Sequence, residues 1–393
     1  MVRVAILCAA YFYVMSNIAL IITILPFIAR DLQIDQLQQT LILVVFPAFS
    51  LPANLVLGAL ADRFGRRQFL ITGSWLSAAL FAVSTCVTNA WEIIALRGAV
   101  AIFTSMIACS IFSSIRDYFS PDQTMRATGY VSAAASIAQL LGVPLIVLCA
   151  ESAGWRMSFL AMSVYGGLLA IVLTRLPRPE HTVAHEEYGG IRAEMLRMVH
   201  VAKERSILYM LVGYALFTCG TFVFLALYST WLEAQASHFA TGHDVSLVLL
   251  SGGLGSLVGA IAVGTFGTRL NGARATRSLL CALTAAPTVA VPIFGHSLEA
   301  QVAAYGMMCA FRAMLVPIVI NGTMASMPPG QRGVANGVLA SIFQSGTAIG
   351  GAIGVQLYAL NATFIANVVT AVAFFSAAIV SFDRLATAPA ARR

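Results

Sequence analysis

The sequence predicts an all-α membrane protein whose twelve transmembrane helices form two pseudo-symmetric six-helix bundles. Three observations predict it: an apolar composition, a regular alternation of long apolar runs with short polar breaks, and a one-sided distribution of arginine and lysine. Of 393 residues, 59% are hydrophobic and only 10% are charged, with a mean hydropathy of +0.85. That leaves too little polar surface to cover a water-soluble globule. A spanning helix needs roughly 20 apolar residues. Runs of that kind fall near 4–26, 39–60, 69–88, 92–114, 128–150, 156–174, 207–229, 245–266, 278–295, 300–322, 334–357 and 363–382.

The first run follows a basic Arg3, as a secretion signal would, but it is too long and has no small-residue cleavage site, so it reads as an uncleaved span. With the N-terminus inside, every basic residue except Arg30, Arg97, Arg156 and Arg312 falls in a cytoplasmic segment, which satisfies the positive-inside rule. Arg30 and Arg156 lie outside, and Arg97 and Arg312 lie within spans. Both termini are expected to be cytoplasmic. The net charge of +7 is therefore a topology signal, and nucleic acid is not an expected partner.

The longest polar stretch, 175–206, separates an N-terminal bundle (1–174) from a C-terminal one (207–393) as a cytoplasmic linker. Within it Ile191, Met195, Met198, Val199 and Ala202 recur at helical spacing, which fits either a short amphipathic helix on the membrane face or a solvated linker. The halves are related. With Gly264 set on Gly58, GTFGTRLNGAR occupies the place of GALADRFGRR, and Arg269 falls on Arg63, while Thr268 replaces Asp62 and Asn271 replaces Gly65. Two six-span halves suit a duplicated transporter that binds its substrate between the halves near mid-membrane.

GALADRFGRR, residues 58–67, carries four charges between two apolar runs, so it is a tight turn at one membrane surface. Gly58 lets another helix approach closely. Asp62, one turn later, is expected near the start of span 11, where unpaired amides favour an anion. Arg66 and Arg67 can then reach Asp117 at the end of span 4. Spans 5, 8 and 11 are rich in glycine: Gly142 just before Pro144, Gly255 and Gly259, and Gly346, Gly350 and Gly354. Such faces bring helix backbones together, and Pro144 is expected to bend span 5, giving a hinge at Gly142 and Pro144.

These phrases carry a resemblance to a known family. GALADRFGRR, with Gly58, Asp62, Arg63, Gly65, Arg66 and Arg67, resembles the signature loop between spans 2 and 3 of the major facilitator superfamily. Arg97 and Gly98 resemble its span-4 motif, and QLLGVPLIVLCAESAGWRMSF is similar to the span-5 motif of its exporters. ILPFIARDL and PPGQRGVANG are further typical phrases. The resemblance covers essentially the whole chain and points to the twelve-span drug:proton antiporter branch. Val100 and Ala101 depart from that branch, which usually carries a polar residue and a glycine there. The resemblance implies a monomeric exporter in a bacterial inner membrane, working on a small molecule and protons without a cofactor. It also implies that the contact of Asp62 with span 11 latches the outward-open state.

Charge inside the bilayer carries the most functional information. A mid-span arginine costs on the order of 2.5–3.5 kcal/mol on insertion scales. Arg97 sits a few residues into span 4, with Glu92 as a candidate partner, and Arg312 sits near the middle of span 10. All 16 acidic residues fall in loops or at span ends, and the six histidines fall in loops. An exchanger of organic cations and protons wants a buried carboxylate that both can neutralise. A cationic core instead predicts a neutral or anionic cargo held by Arg312 and Arg97. Other cavity candidates are Tyr13, Asn17, Gln139, Tyr214, Thr221, Asn321 and Gln344, with Phe217, Phe222 and Phe224 as apolar grips. Protons could act through Glu92, Glu233 or Asp244, or travel on the anion. No nucleophile–base pair or Cys/His metal spacing occurs, so neither catalytic nor metal-binding residues are expected. A proton-coupled importer or exchanger is the nearest alternative, and a non-transporting scaffold or receptor the remote one.

Overall fold

The structure, a computed structural model, describes residues 2–177, 205–235, 242–270, 275–294, 297–327, 331–359 and 364–387. The segment with the candidate amphipathic helix at 191–202 and residues 271–274 of the second-half turn, including Asn271, lie outside the described residues. The helices are α1 (Val2–Asp31), α2 (Gln36–Phe64), α3 (Arg66–Ser84), α4 (Ala90–Tyr118), α5 (Pro121–Ile137), α6 (Val143–Ala153), α7 (Trp155–Leu173), α8 (Arg205–Gln235), α9 (Gly242–Leu270), α10 (Ala275–Ile293), α11 (Leu298–Ala325), α12 (Arg332–Ala359) and α13 (Phe364–Thr387). Among the described residues there is no strand. Among the described residues, eleven spans are long and apolar enough to cross a membrane, with α5 and α6 forming one of them. The 19-residue α3, with arginines in its first turn, makes the twelfth.

Local chemistry sets the breaks. Asp35 caps α2 in a reciprocal box with Gln38, and Asn89 caps α4 by accepting from the Glu92 amide. Gly65 and Gly154 turn the chain between α2 and α3 and between α6 and α7 at φ of 96° and 85°, a region glycine enters without cost. At the end of α1, Asp31 accepts from Trp155 Nε1 at 2.9 Å and Arg156 Nη1 at 2.8 Å, tying α1 to α7. These partners hold its carboxyl below the usual carboxylate range. The tie therefore persists above that range and is lost only as pH falls through the lowered value.

The chain divides into two compact units, one formed by residues 1–198 with 327–341 and the other by 199–326 with 342–393. In the first, α2 packs on α4, α3 on α4 and α7, and α1 on α5 and α7. In the second, α9 packs on α11, α10 on α11 and α13, and α8 on α13. Spans 2·4, 3·4, 3·6 and 1·6 thus recur as 8·10, 9·10, 9·12 and 7·12, the internal repeat that the turn sequences retain only weakly. α12 begins in the first unit and continues into the second.

Span 5 is where a sequence irregularity becomes geometry. Pro144 has no amide hydrogen and its ring crowds the preceding turn. The chain responds with a π-helical turn over Ala138–Gly142, in which Val143 donates to the Ala138 carbonyl. Gly142 faces α1 there, and a Cβ on it would stand 2.7 Å from Ser16 Oγ. Glycines set close approaches in the second unit too. Gly255 and Gly259 of α9 meet the backbone carbonyls of Gly306 and Ala310 on α11, and Gly346, Gly350 and Gly354 of α12 meet α8.

Replacing Gly259 by Val should force α9 off α11 and cost about 1–3 kcal/mol of stability. Gly351→Val, where a Cβ meets nothing within 4 Å, should stay within about 0.5 kcal/mol. Unfolding of the purified variants in mild detergent checks the contrast, and equal losses would contradict it.

Candidate functional site

Where α2 ends, α3 begins and α4 ends, the motif residues form one buried cluster. Asp62 lies near the end of α2 with its side chain 3% exposed. It accepts from Gly333 N at 2.9 and 2.7 Å on its two oxygens, and from Val334 N at 3.2 Å. These are first-turn amides of α12, which have no partner within their helix, so an anion there satisfies donors and interacts favourably with the helix dipole. Arg66 reaches the same carboxylate through Nε at 2.9 Å and Nη2 at 2.6 Å, and turns Nη1 to Asp117 Oδ1 at 2.6 Å and to the Ser113 carbonyl at 3.3 Å.

The other motif members are placed differently. Gly58 is pressed against α12, where an added Cβ would stand 2.5 Å from the Gly333 carbonyl oxygen. Gly65 supplies only the turn. Arg63 stacks over Phe64 at 5.2 Å from the ring centre and takes no part in the ion pairs. Arg67 does not meet Asp117 as the spacing suggested. Its Nε and Nη2 donate to the Leu176 and Thr174 carbonyls at 2.8 and 2.7 Å, closing the exposed end of α7.

Deeper in the first unit, Arg97 is 5% exposed. It donates to Asn17 Oδ1 at 2.5 Å and to the Asn17 carbonyl at 3.2 Å, and lies 4.3 Å above the Phe46 ring. Asn17 in turn donates to Thr104 Oγ1 at 2.8 Å. Arg97 Nε is buried without a partner. Glu92 is not the counter-ion that proximity in sequence suggested: its carboxylate accepts from the Thr88 amide at 2.9 Å and from Asn89 Nδ2 at 2.7 Å in the first turn of α4. Tyr13 is fully buried, its hydroxyl 3.0 Å from Ser77 Oγ and its ring stacked on Tyr165. Gln139 is exposed within the π turn, and Pro144 is exposed beyond it.

In the second unit Arg312 sits at the middle of the 28-residue α11, partly buried. Among the described residues it makes no hydrogen bond or ion pair. Gln344 is partly buried, whereas Tyr214, Thr221 and Asn321 are buried, and Thr221 donates to the Phe217 carbonyl at 2.9 Å. Phe217 and Phe224 are core side chains, each 1% exposed, while Phe222 packs edge-on against Phe343. The carboxylates described stand within the last two turns of a helix, the first two, or just outside, and no cluster of metal-ligating residues occurs among the described residues.

Sequence reasoning missed Phe46 and Thr104, which complete the surroundings of Arg97, and Asn336, whose amide donates to two α4 carbonyls. Phe46 and Thr104 are ordinary residues of apolar spans. Asn336 stood inside the typical phrase PPGQRGVANG, but its contact depends on a helix more than 200 positions away in the chain.

With fold and site in view, the class is a duplicated all-helical membrane transporter. The sequence matches the Major Facilitator Superfamily over residues 7–351, and the chain belongs to that family. It is 23% identical over 317 residues to the uncharacterized MFS-type transporter YceJ of Bacillus subtilis (strain 168), covering 77% of this chain and 75% of the relative. It is 24% identical over 384 residues to the sialic acid transporter NanX of Escherichia coli (strain K12), covering 90% and 89%. A probable sugar efflux transporter of Mannheimia succiniciproducens is 25% identical over 44% of each chain. Among solved structures, the transporter FucP in its outward conformation aligns with a TM-score of 0.76 at 13% identity over 98% of both chains. The proton:xylose symporter XylE aligns at 0.72 and 14% identity, over 98% of this chain and 94% of that one. The protein is a transporter and not an enzyme.

Asp62→Asn keeps the shape of the cluster but removes the charge facing Arg66 and the α12 amides. Breaking one side of a buried pair costs about 3–5 kcal/mol, so the variant should unfold correspondingly earlier in detergent, and unchanged stability would contradict the described role.

Proposed function

We propose that this chain is a secondary active transporter that moves a small organic molecule, neutral or anionic, across the plasma membrane by alternating access. In this reading it exports its cargo at the expense of the proton gradient, acts as a monomer in a bacterial inner membrane and keeps both termini in the cytoplasm. The observation that carries the cargo class is Arg312: a guanidinium at mid-helix, partly exposed, with no hydrogen bond or ion pair among the described residues. Holding such a charge in a span costs on the order of 2.5–3.5 kcal/mol, and a ligand carboxylate or a set of ligand hydroxyls offsets that cost when it binds. Arg97, buried without a carboxylate partner among the described residues, adds a second positive centre with Asn17 beside it.

The carboxylates described lie towards helix ends, so the reading has no residue suited to trading a proton for an organic cation. The names of the relatives run the same way: one is a sialic acid transporter and one a probable sugar efflux transporter. Import is the second reading, favoured by the description of FucP and XylE as proton symporters. Tyr13, Gln139, Tyr214 and Gln344 remain candidates for contacts made during the cycle, with Gly142 and Pro144 as the span-5 hinge.

Flux into sealed proteoliposomes, with and without a pH gradient, tests the reading with three probes: an acidic sugar, a neutral sugar and a simple organic cation. Arg312→Ala should lower acidic-sugar flux at least about tenfold, with Arg312→Lys retaining part of it, since a charge-assisted hydrogen bond is worth about 1.5–3 kcal/mol. Cation transport that is indifferent to Arg312→Ala would contradict it.

A further inference from the structure

The start of α12 carries a second set of contacts beyond Asp62. Gly333, Asn336, Gly337 and Ser341 share one face of the helix, at the spacing that stacks side chains turn upon turn. Asn336, 3% exposed, donates through Nδ2 to two successive carbonyls of α4, Ala108 at 2.9 Å and Cys109 at 2.7 Å. Gly337 brings the α12 backbone against the Asn54 carbonyl of α2, and Ser341 Oγ donates to the Leu51 carbonyl at 3.0 Å. The carbonyls of a helix retain a second lone pair after accepting within the helix, and a primary amide is the neutral side-chain group that can supply two hydrogens from one nitrogen.

The two parts of this contact differ in kind. At the rim, Asp62 holds α12 by charge, through amides and Arg66. About 4.5 Å deeper, three residues beyond Gly333 at about 1.5 Å each, Asn336 holds it by directional, uncharged hydrogen bonds in a buried position. We propose that Asn336 is a positioning residue of the transport cycle, the inner element of a two-part latch that keeps the cytoplasmic half of α12 on α2 and α4. This rests on the alternating-access reading, because a latch matters only if α12 leaves that position in each cycle. Asp62 and Asn336 then act in sequence: the rim contact responds to charge and salt, and the deeper contact keeps α12 in register until the rim has let go.

Hydrogen–deuterium exchange of the full chain in lipid nanodiscs tests the proposal without a substrate. Asn336→Leu keeps the volume and removes both donors, and Asn336→Ala removes the volume too. Losing the pair of bonds should make exchange across residues 331–341 at least about fivefold faster in Asn336→Leu, with exchange in α10 and α13 unchanged. A segment as slow in Asn336→Leu as in the parent would overturn the proposal, because the side chain would then only fill space. Acceleration spread evenly over all helices would overturn it too, as loss of fold. Flux is recorded separately in the same preparations: a parent protein that moves none of the probes contradicts the transport reading, whereas the exchange result alone decides the role of Asn336.

Discussion

One buried carboxylate organises the end of the first unit where α2, α3, α4 and the start of α12 meet. Asp62 is surrounded by donors, two from the backbone of α12 and one guanidinium that it shares with Asp117. A buried charge survives only when it is paired and hydrogen-bonded, and here half of the compensation comes from the free amides of a helix start. That requirement explains residues that carry no chemistry themselves. Gly58 and Gly333 lack side chains because a Cβ on either would intrude on the other helix or on the carboxylate itself. Gly337 does the same one turn deeper. In the second half of the chain Thr268 stands at the sequence position that corresponds to Asp62, so the repeat does not carry this charge.

The opposite imbalance marks the membrane interior. Arg97 and Arg312 are not matched by any ion pair among the described residues. Arg97 is partly relieved by an asparagine side chain, a backbone carbonyl and an aromatic face, a set that stabilises a cation without neutralising it. Arg312 lacks even that. Among the described residues, then, charges are paired in the Asp62 cluster, whereas Arg97 and Arg312 have no ion pair.

Much of the fold was legible because each signal is local. Apolar runs and the GALADRFGRR turn depend on neighbours in sequence, and the described helices follow the predicted runs closely. Pro144 was legible as a disturbance of span 5, though not as the π turn over Ala138–Gly142. The Arg66–Asp117 pair was readable from chemistry alone, but the competition between Arg66 and Arg67 for the same acid was not: it turns on which side of α3 each arginine leaves. Similarly, Glu92 lies close to Arg97 in sequence yet is consumed by capping its own helix. Tyr13, Phe217 and Phe224 are buried in this structure, a placement that sequence does not reveal, because a polar or aromatic side chain on a membrane helix reads the same whether it meets cargo or another helix.

The central proposal is that an unneutralised mid-membrane arginine holds the cargo, and holds it more tightly when the cargo carries a negative charge. The most direct measurement is ligand-dependent thermal stabilisation of the purified protein by matched pairs, each an organic acid and its own amide, so that shape is constant and only charge changes. The account predicts that acids raise the unfolding temperature, that their amides do so much less, and that the difference vanishes in Arg312→Ala. Equal stabilisation by acid and amide, or a difference untouched by the substitution, would contradict it.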